Sequence, residues 1–386
     1  MVKRIQIILT SILVSLILLS GCRDPFEPDV TMMDLNYLVV EGFIEIDAQE
    51  SILRLSRTTP LRGENPFRVE SGALISLISD NGFTWEFVEK EAGTYALTGT
   101  FDPNLTYKIN ILLNNNQEYE SDPLVPKISP PIQELGFTRN EDGVNIQVST
   151  QGTENALYFL WDYEETWLFR PPFPTPFIFN PETRGIDLRK PEQQVGLCWL
   201  ENKVNRIILD NAGRFSNFRI NQKDMVFIPN LSEKLMTRYS ISVRQRALDK
   251  DAFDFWEIMR KNTEDIGGIF SPLPSLIRGN IHPVNSSNTS AIGFVSMGKS
   301  SKERLYINVQ DVRPWQVFIP DYLACLLDSD TIPPAAYALE FSGPNYSPVF
   351  QVVNEMGAIL GYRGAETRCA DCTLRGSNVR PDFWED

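Results

Sequence analysis

Five cysteines, one histidine and a surplus of carboxylates are the residues in this 386-residue chain whose types could do chemistry. Cys22 stands apart. It closes Leu19-Ser20-Gly21-Cys22, behind a positive head at Lys3 and Arg4 and an apolar run from Ile5 to Leu19. That run has the length of a secretory leader and is short for a bilayer span. Small residues leading into a cysteine read as a lipoprotein signal over 1–21. Cleavage before Cys22 frees an amino group, and the thiol and the amine then carry acyl chains. Burying acyl chain is worth about 0.8 kcal/mol per CH₂, and more than one chain anchors stably. The expectation is a body held to a lipid bilayer through acylated Cys22. An ordinary leader with a chance cysteine is the alternative.

Cys198, Cys325, Cys369 and Cys372 remain. An even set outside the cytoplasm favours disulfides, and four cysteines allow three pairings. Cys369-x-x-Cys372 also has the spacing of a redox pair or half a zinc site. A redox pair usually opens a helix, which lowers the thiolate pKa. Here the pair follows the strand-like Ala358-Ile359-Leu360-Gly361-Tyr362. Zinc would need all four thiols, or three with His282. The expectation is that Cys198 and Cys325 each bond one member of the Cys369/Cys372 couple, stapling the C-terminal tail to the body. Neither a metal nor a cofactor is expected.

Catalysis finds little to work with. His282 precedes Pro283 in a loop-like stretch, and no nucleophile elbow, His-Glu-x-x-His helix or phosphate-cradling glycine loop accompanies it. Glu164-Glu165, the group Asp249, Asp251 and Asp254, and Glu264-Asp265 supply carboxylates. A glycosidase needs two of them facing each other across a cleft, and no spacing here selects a pair. Asp328-Ser329-Asp330 lacks the rest of a calcium loop. No catalytic residue is assigned, and the expectation is a protein that is not an enzyme.

Binding has a better candidate. Tyr158 to Phe179 is rich in aromatics, and prolines at 171, 172, 174 and 176 interrupt it. Phe159, Trp161 and Tyr163 alternate as a strand would. From Trp167 onward the prolines argue for a loop. Aromatics on a stiff loop lose little entropy on binding, so Trp167, Phe169, Phe173, Phe177 and Phe179 are the candidate partner-binding residues. The competing reading folds this loop over its own core.

The elements that must position these residues are mainly strands. Ala73, Ile75 and Leu77 alternate before Asp80-Asn81-Gly82, and Phe83, Trp85 and Phe87 alternate after it, a hairpin pattern. Leu105 to Leu113 repeats the alternation, with Gln117 to Ser121 as its partner beyond Asn114-Asn115-Asn116. Prolines at 123, 126, 130 and 131 mark a linker. Val144-Ile146-Val148, then 156–162, 206–210, 239–245, 292–297 and 304–309, read as further strands. One helix stands out over 251–266. Asp251 is the expected cap, Ala252, Phe255, Trp256 and Met259 form one face, and Gly267-Gly268 gives the stop. The expected fold is mainly β: two consecutive β-sandwiches of immunoglobulin or fibronectin type, one short helix and a disulfide-stapled tail. The organisation is then a tether over 22–36, an N-terminal sandwich over 37–122, a linker over 123–131 and a second β domain over 132–386.

The formal charge is −14, and loss of Lys3 and Arg4 with the leader takes it to −16. Such a body has no electrostatic case for nucleic acid. Asp24, Glu27 and Asp29 follow Cys22 closely on a proline-stiffened tether.

Several segments together resemble one family. They are Leu38-Val39-Val40-Glu41-Gly42, Leu53-Arg54-Leu55-Ser56-Arg57-Thr58, Tyr239-Ser240-Ile241-Ser242-Val243-Arg244-Gln245 and Phe255-Trp256-Glu257. Lys261-Asn262-Thr263-Glu264, Ser271-Pro272-Leu273-Pro274-Ser275, Arg278-Gly279-Asn280-Ile281 and Cys369 to Gly376 with Phe383-Trp384 complete the set. The chain resembles the Bacteroidota outer-membrane lipoproteins of the domain of unknown function 4249 (DUF4249). That resemblance implies no activity and no catalytic residue. It implies an accessory lipoprotein beside a TonB-dependent transporter barrel, and acidic residues after the lipid cysteine resemble the signal for display on the cell surface. A periplasm-facing position is the alternative address. A structural subunit of outer-membrane assembly or surface export is the alternative role, with a carboxylate-dependent hydrolase behind it.

Overall fold

The computed structural model of the chain describes residues 36–59, 68–203, 206–264, 279–285 and 290–385. The leader, Cys22, the tether up to residue 35 and the Gly267-Gly268 helix stop lie outside the described residues. The chain is mainly β, as its alternation implies.

The first sandwich packs two sheets over one core. In one sheet Leu38–Glu45, Asp47–Arg57, Thr94–Thr100 and Val88–Glu91 pair antiparallel in that order. In the other, Thr84–Glu86, Leu74–Ser79, Tyr107–Leu112 and Glu118–Ser121 are neighbours. The hairpin at Asp80-Asn81-Gly82 forms as the sequence predicts, with Gly82 at φ 87° closing the turn. Inward-facing Val40, Leu53, Ile75, Leu77, Ile109 and Ile111 are fully buried between the sheets.

The domain boundary needs correcting. Strands within 281–285 and 290–299, expected in the second domain, complete the first sandwich. Ile281–Pro283 extends one sheet beside Glu118–Ser121. Ala291–Ile292 and Val295–Lys299 run parallel to Leu38–Glu45 in the other sheet. Gly293 lets the chain pass between those two segments. At φ 128° it sits where a Cβ would stand 1.9 Å from the Val40 carbonyl oxygen. Period-two alternation marks such strands without naming their partners, and these partners lie some 250 residues earlier in the chain.

The linker is also less free than its prolines suggest. Lys127–Ile128 pairs with Val295–Lys299, and Ser129 donates to the Lys299 carbonyl at 2.9 Å. Ser129 Oγ accepts from Ala247 N at 2.7 Å, and the Pro130 carbonyl accepts from Gln245 Nε2 at 2.9 Å. These bonds attach the linker to both sandwiches.

In the second sandwich, Tyr158–Phe169 is central. Arg238–Leu248 lies on one side of it, followed by Ser301–Asn308, with Cys198–Lys203 and Ile208–Asn211 on the other. Ile132–Arg139, Gly143–Gln151 and Arg219–Pro229 form the facing sheet. Val144, Ile146, Phe159, Trp161, Ile241 and Val243 fill the core.

The helix Lys250–Glu264 buries Ala252 and Phe255 against Leu209, Leu248 and Phe294, so its apolar face packs on residues of both sandwiches. Its cap is Asp249, whose Oδ1 accepts from Ala252 N at 2.7 Å, and not Asp251. Lys250 opens the helix, so the oxygen that reaches its third amide belongs to the residue before it. A second helix, Tyr337–Glu340, was not expected.

A C-terminal lobe completes the molecule. The hairpins Phe177–Asn180/Gly185–Leu188 and Tyr346–Val353/Ile359–Glu366 share a small cluster of Tyr337, Phe341 and Tyr362. Disulfides Cys198–Cys372 and Cys325–Cys369 tie the lobe down, so each of Cys198 and Cys325 does bond one member of the couple. The tail then lies on the second sandwich. Trp199 N donates to the Ser377 carbonyl at 2.8 Å, and Trp384 is buried edge-on between Trp199 and Tyr306.

Candidate functional site

The five aromatics predicted to form a contact surface are not free to do so. Trp167 and Phe169 belong to the strand Tyr158–Phe169, which runs further than the prolines suggested because the first of them comes only at Pro171. Trp167 pairs with Tyr239 and Leu200 across the sheet, and both aromatics sit in the second core. Phe173 is half-buried, and its amide donates to the Cys369 carbonyl at 3.0 Å. Phe177 and Phe179 form a strand whose rings pack under the C-terminal lobe, Phe177 edge-on to Tyr362 at 4.9 Å. The loop folds over its own chain, the competing reading. The covering residues lie roughly 155 to 195 positions away, beyond the reach of local pattern.

Of the paired carboxylates, Glu165 is the buried one, at 1% exposure. Lys234 Nζ donates to both of its oxygens at 2.7 Å, Tyr239 OH to Oε1 at 2.7 Å and Asn202 Nδ2 to Oε2 at 2.7 Å. Lys234 also lies 5.2 Å over the Trp167 ring. Burial, then the Glu165 charge, pushes the Tyr239 phenol well above its ordinary value and that of Tyr163 up to about 12. A carboxylate closed from solvent with its lone pairs committed positions strands; it has no access to a substrate. Glu164 faces outward and pairs with Lys203 at 3.2 Å.

Of the pair Glu264-Asp265, Asp265 lies outside the described residues; the group Asp249, Asp251 and Asp254 lines a cleft between the sandwiches, a cavity of about 370 Å³. Asp122 and Lys127 reach it from the first sandwich, Asp249, Asp251 and Asp254 from the start of the helix, over a floor that includes Phe294. His282 Nε2 lies 3.0 Å from Asp122 Oδ2 on the exposed rim. Asp249 is committed to the helix cap, and Asp254 pairs with Lys250. The cleft can hydrogen-bond a polar or cationic group. Among the described residues no three His, Cys, Asp or Glu side chains converge at metal-binding distance.

Apolar surface appears at a place the sequence did not single out. The hairpin Tyr346–Val353/Ile359–Glu366 is covered at its base, where Ile332 bridges Tyr362 and Thr175 Oγ1 donates to the Pro348 carbonyl. Its far end is open. Phe350, Val353, Ile359 and Leu360 are each half or more exposed, and Met356 in the turn is 90% exposed. Glu355 is the sole charge between Val353 and Leu360.

The family model described as domain of unknown function (DUF4249) matches residues 23–304. The chain belongs to this family. The DUF4249 match spans both sandwiches and ends inside the strand Ser301–Asn308, so Cys325, Cys369, Cys372 and the exposed hairpin lie beyond it. No curated protein matches the chain. Among solved structures, a pullulanase from Anoxybacillus sp. LM18-11, complexed with maltotriose, is similar over 51% of this chain at 9% identity and a TM-score of 0.15. The chain spans 25% of that structure, and a likeness this low carries no argument about fold or function.

Proposed function

We propose that this DUF4249 chain is a lipid-anchored, non-enzymatic accessory protein of the outer membrane, displayed on the cell surface. It docks on a TonB-dependent transporter-type barrel and contacts the substrate that the barrel takes up. Leu19-Ser20-Gly21-Cys22 supports the anchor. Residues 23–36 give that anchor a reach of roughly 50 Å at full extension.

The observation that carries docking is the open end of the C-terminal hairpin. Five apolar side chains there, from Phe350 to Leu360, meet solvent with one charge among them. Exposed apolar side chains gathered at one hairpin end are a feature of contact sites. A rigid hairpin based on a disulfide-bonded lobe would lose little entropy on docking. Barrel partners enter through the family resemblance.

Tagged full-length protein, purified from its native membranes in mild detergent, tests the reading. A TonB-dependent barrel should come with the wild-type protein and be lost from Met356→Asp/Leu360→Asp, while both versions melt alike. Recovery without a barrel in every mild detergent, or a barrel retained by the charged variant, would overturn it. Recovery of an assembly or export complex in its place would favour the structural-subunit role.

A further inference from the structure

A second cavity, of about 310 Å³, lies where strands Ile208–Asn211 and Arg219–Pro229 meet the C-terminal half of the helix Lys250–Glu264. Three elements each bring a cation to it: Arg206 precedes the first strand, Lys223 lies on the second, and Arg260 lies on the helix. In a chain of net charge −14 that convergence runs against composition.

The cations differ in what already holds them. Lys223 Nζ stands 3.2 Å from Asp210, which also takes Arg214 at 2.7 Å. Arg260 reaches Glu257 only at 4.0 Å, and among the described residues no carboxylate pairs with Arg206. The other acid on the wall, Asp224, accepts instead from the amides of Asn145 and Gln147. Two guanidinium groups are therefore available to an incoming anion, and their planar forks match carboxylate or phosphate oxygens.

Among the described residues, the rest of the lining is apolar or neutral. Ile208, Leu209 and Ile220 are buried beneath it, and Phe215, 39% exposed, stands at the wall with the Arg214 guanidinium 4.8 Å over one face of its ring and the other face left for a ligand. Gln222 lines the same cavity from the left-handed region at φ 49°, a backbone geometry that side chains rarely adopt. The volume falls at the small end of ligand sites, enough for one ring.

We infer that this cavity binds a small ring-bearing anion of the acidic-monosaccharide class, its carboxylate or phosphate held by Arg206 and Arg260 and its ring face against Phe215. The site lies apart from the exposed hairpin, so it stands whether or not the hairpin docks on a barrel.

Calorimetric titration of the full chain with glucuronate, glucose 6-phosphate and glucose tests it. At least one of the two anions should bind saturably and glucose should not; the arm that binds distinguishes carboxylate from phosphate. Arg206→Gln and Arg260→Gln should each weaken binding about tenfold, the loss expected for one charge-assisted contact. Arg206→Lys, which keeps the charge and loses the fork, should fall between. Lys302→Gln, an exposed cation on the strand Ser301–Asn308, should change nothing. Absence of saturable binding by both anions, equal binding of glucose, or anion binding undiminished in both glutamine variants would overturn the site.

Discussion

At the scale of single residues, the most committed group is Glu165. Four hydrogen bonds from Lys234, Tyr239 and Asn202 reach its two oxygens. Removing one partner strands a buried charge, which costs more than the pair contributes when whole. Lys234→Met should therefore lower unfolding stability by about 2–3 kcal/mol in urea titrations, below the full range for buried pairs because Lys234 still meets some water. The neighbouring phenols add a pH dependence. Tyr163 and Tyr239 are held protonated above their ordinary value by burial first and by the Glu165 charge second. Between about pH 10 and about pH 12 the unfolded chain sheds phenol protons that the folded chain keeps, so stability is full below this window and falls as pH rises through it. Urea midpoints measured from about pH 9 to about pH 11 should fall in the wild type and fall less steeply in Tyr163→Phe.

Among the elements, the helix shows how local chemistry and sequence pattern part by two residues at the cap. Asp249→Ala should cost about 1 kcal/mol, the worth of a lost N-cap, while Asp251→Ala should sit near zero. Equal losses in the two variants would contradict the observed cap. The helix itself was legible, since Ala252 and Phe255 recur at helical spacing and bury together. So was the Leu74–Ser79 hairpin, because Asn81-Gly82 admits the turn its strands need. The aromatic stretch was misread for a physical reason. Prolines at 171–176 do break the sheet, but Trp167 and Phe169 precede the break, and the rings that pack on Phe177 come from residues beyond 330. Cavity-forming Arg206, Lys223 and Arg260 carry no shared spacing at all, and only the fold gathers them.

For the molecule as a whole, the decisive feature is that the two sandwiches are interleaved. The chain leaves the first at Ser129, returns at Ile281 and leaves again through Ser300, whose amide donates to Glu45 Oε2 at 3.1 Å. Trp161, Gln245 and Pro130 form a bonded chain across the same junction. The first sandwich therefore cannot close without strands that follow most of the second in the chain. A fragment ending at residue 131 leaves Leu38–Glu45 with one bare edge and part of its core missing, so it should show no cooperative thermal transition. The full chain should unfold in one transition spanning both sandwiches, read by calorimetry. A fragment melting as sharply as the full chain would contradict the interleaving.

The proposed acyl anchor at Cys22 precedes the first sandwich in the chain, and the apolar hairpin belongs to the C-terminal lobe. The most direct test places a photo-crosslinking residue at Met356 of the full-length protein in living cells and identifies the adduct by mass spectrometry. The expected adduct is a TonB-dependent outer-membrane barrel, with none formed from a probe at the exposed Lys302. Exclusive crosslinking to lipid, or no adduct at Met356, would contradict docking through the hairpin.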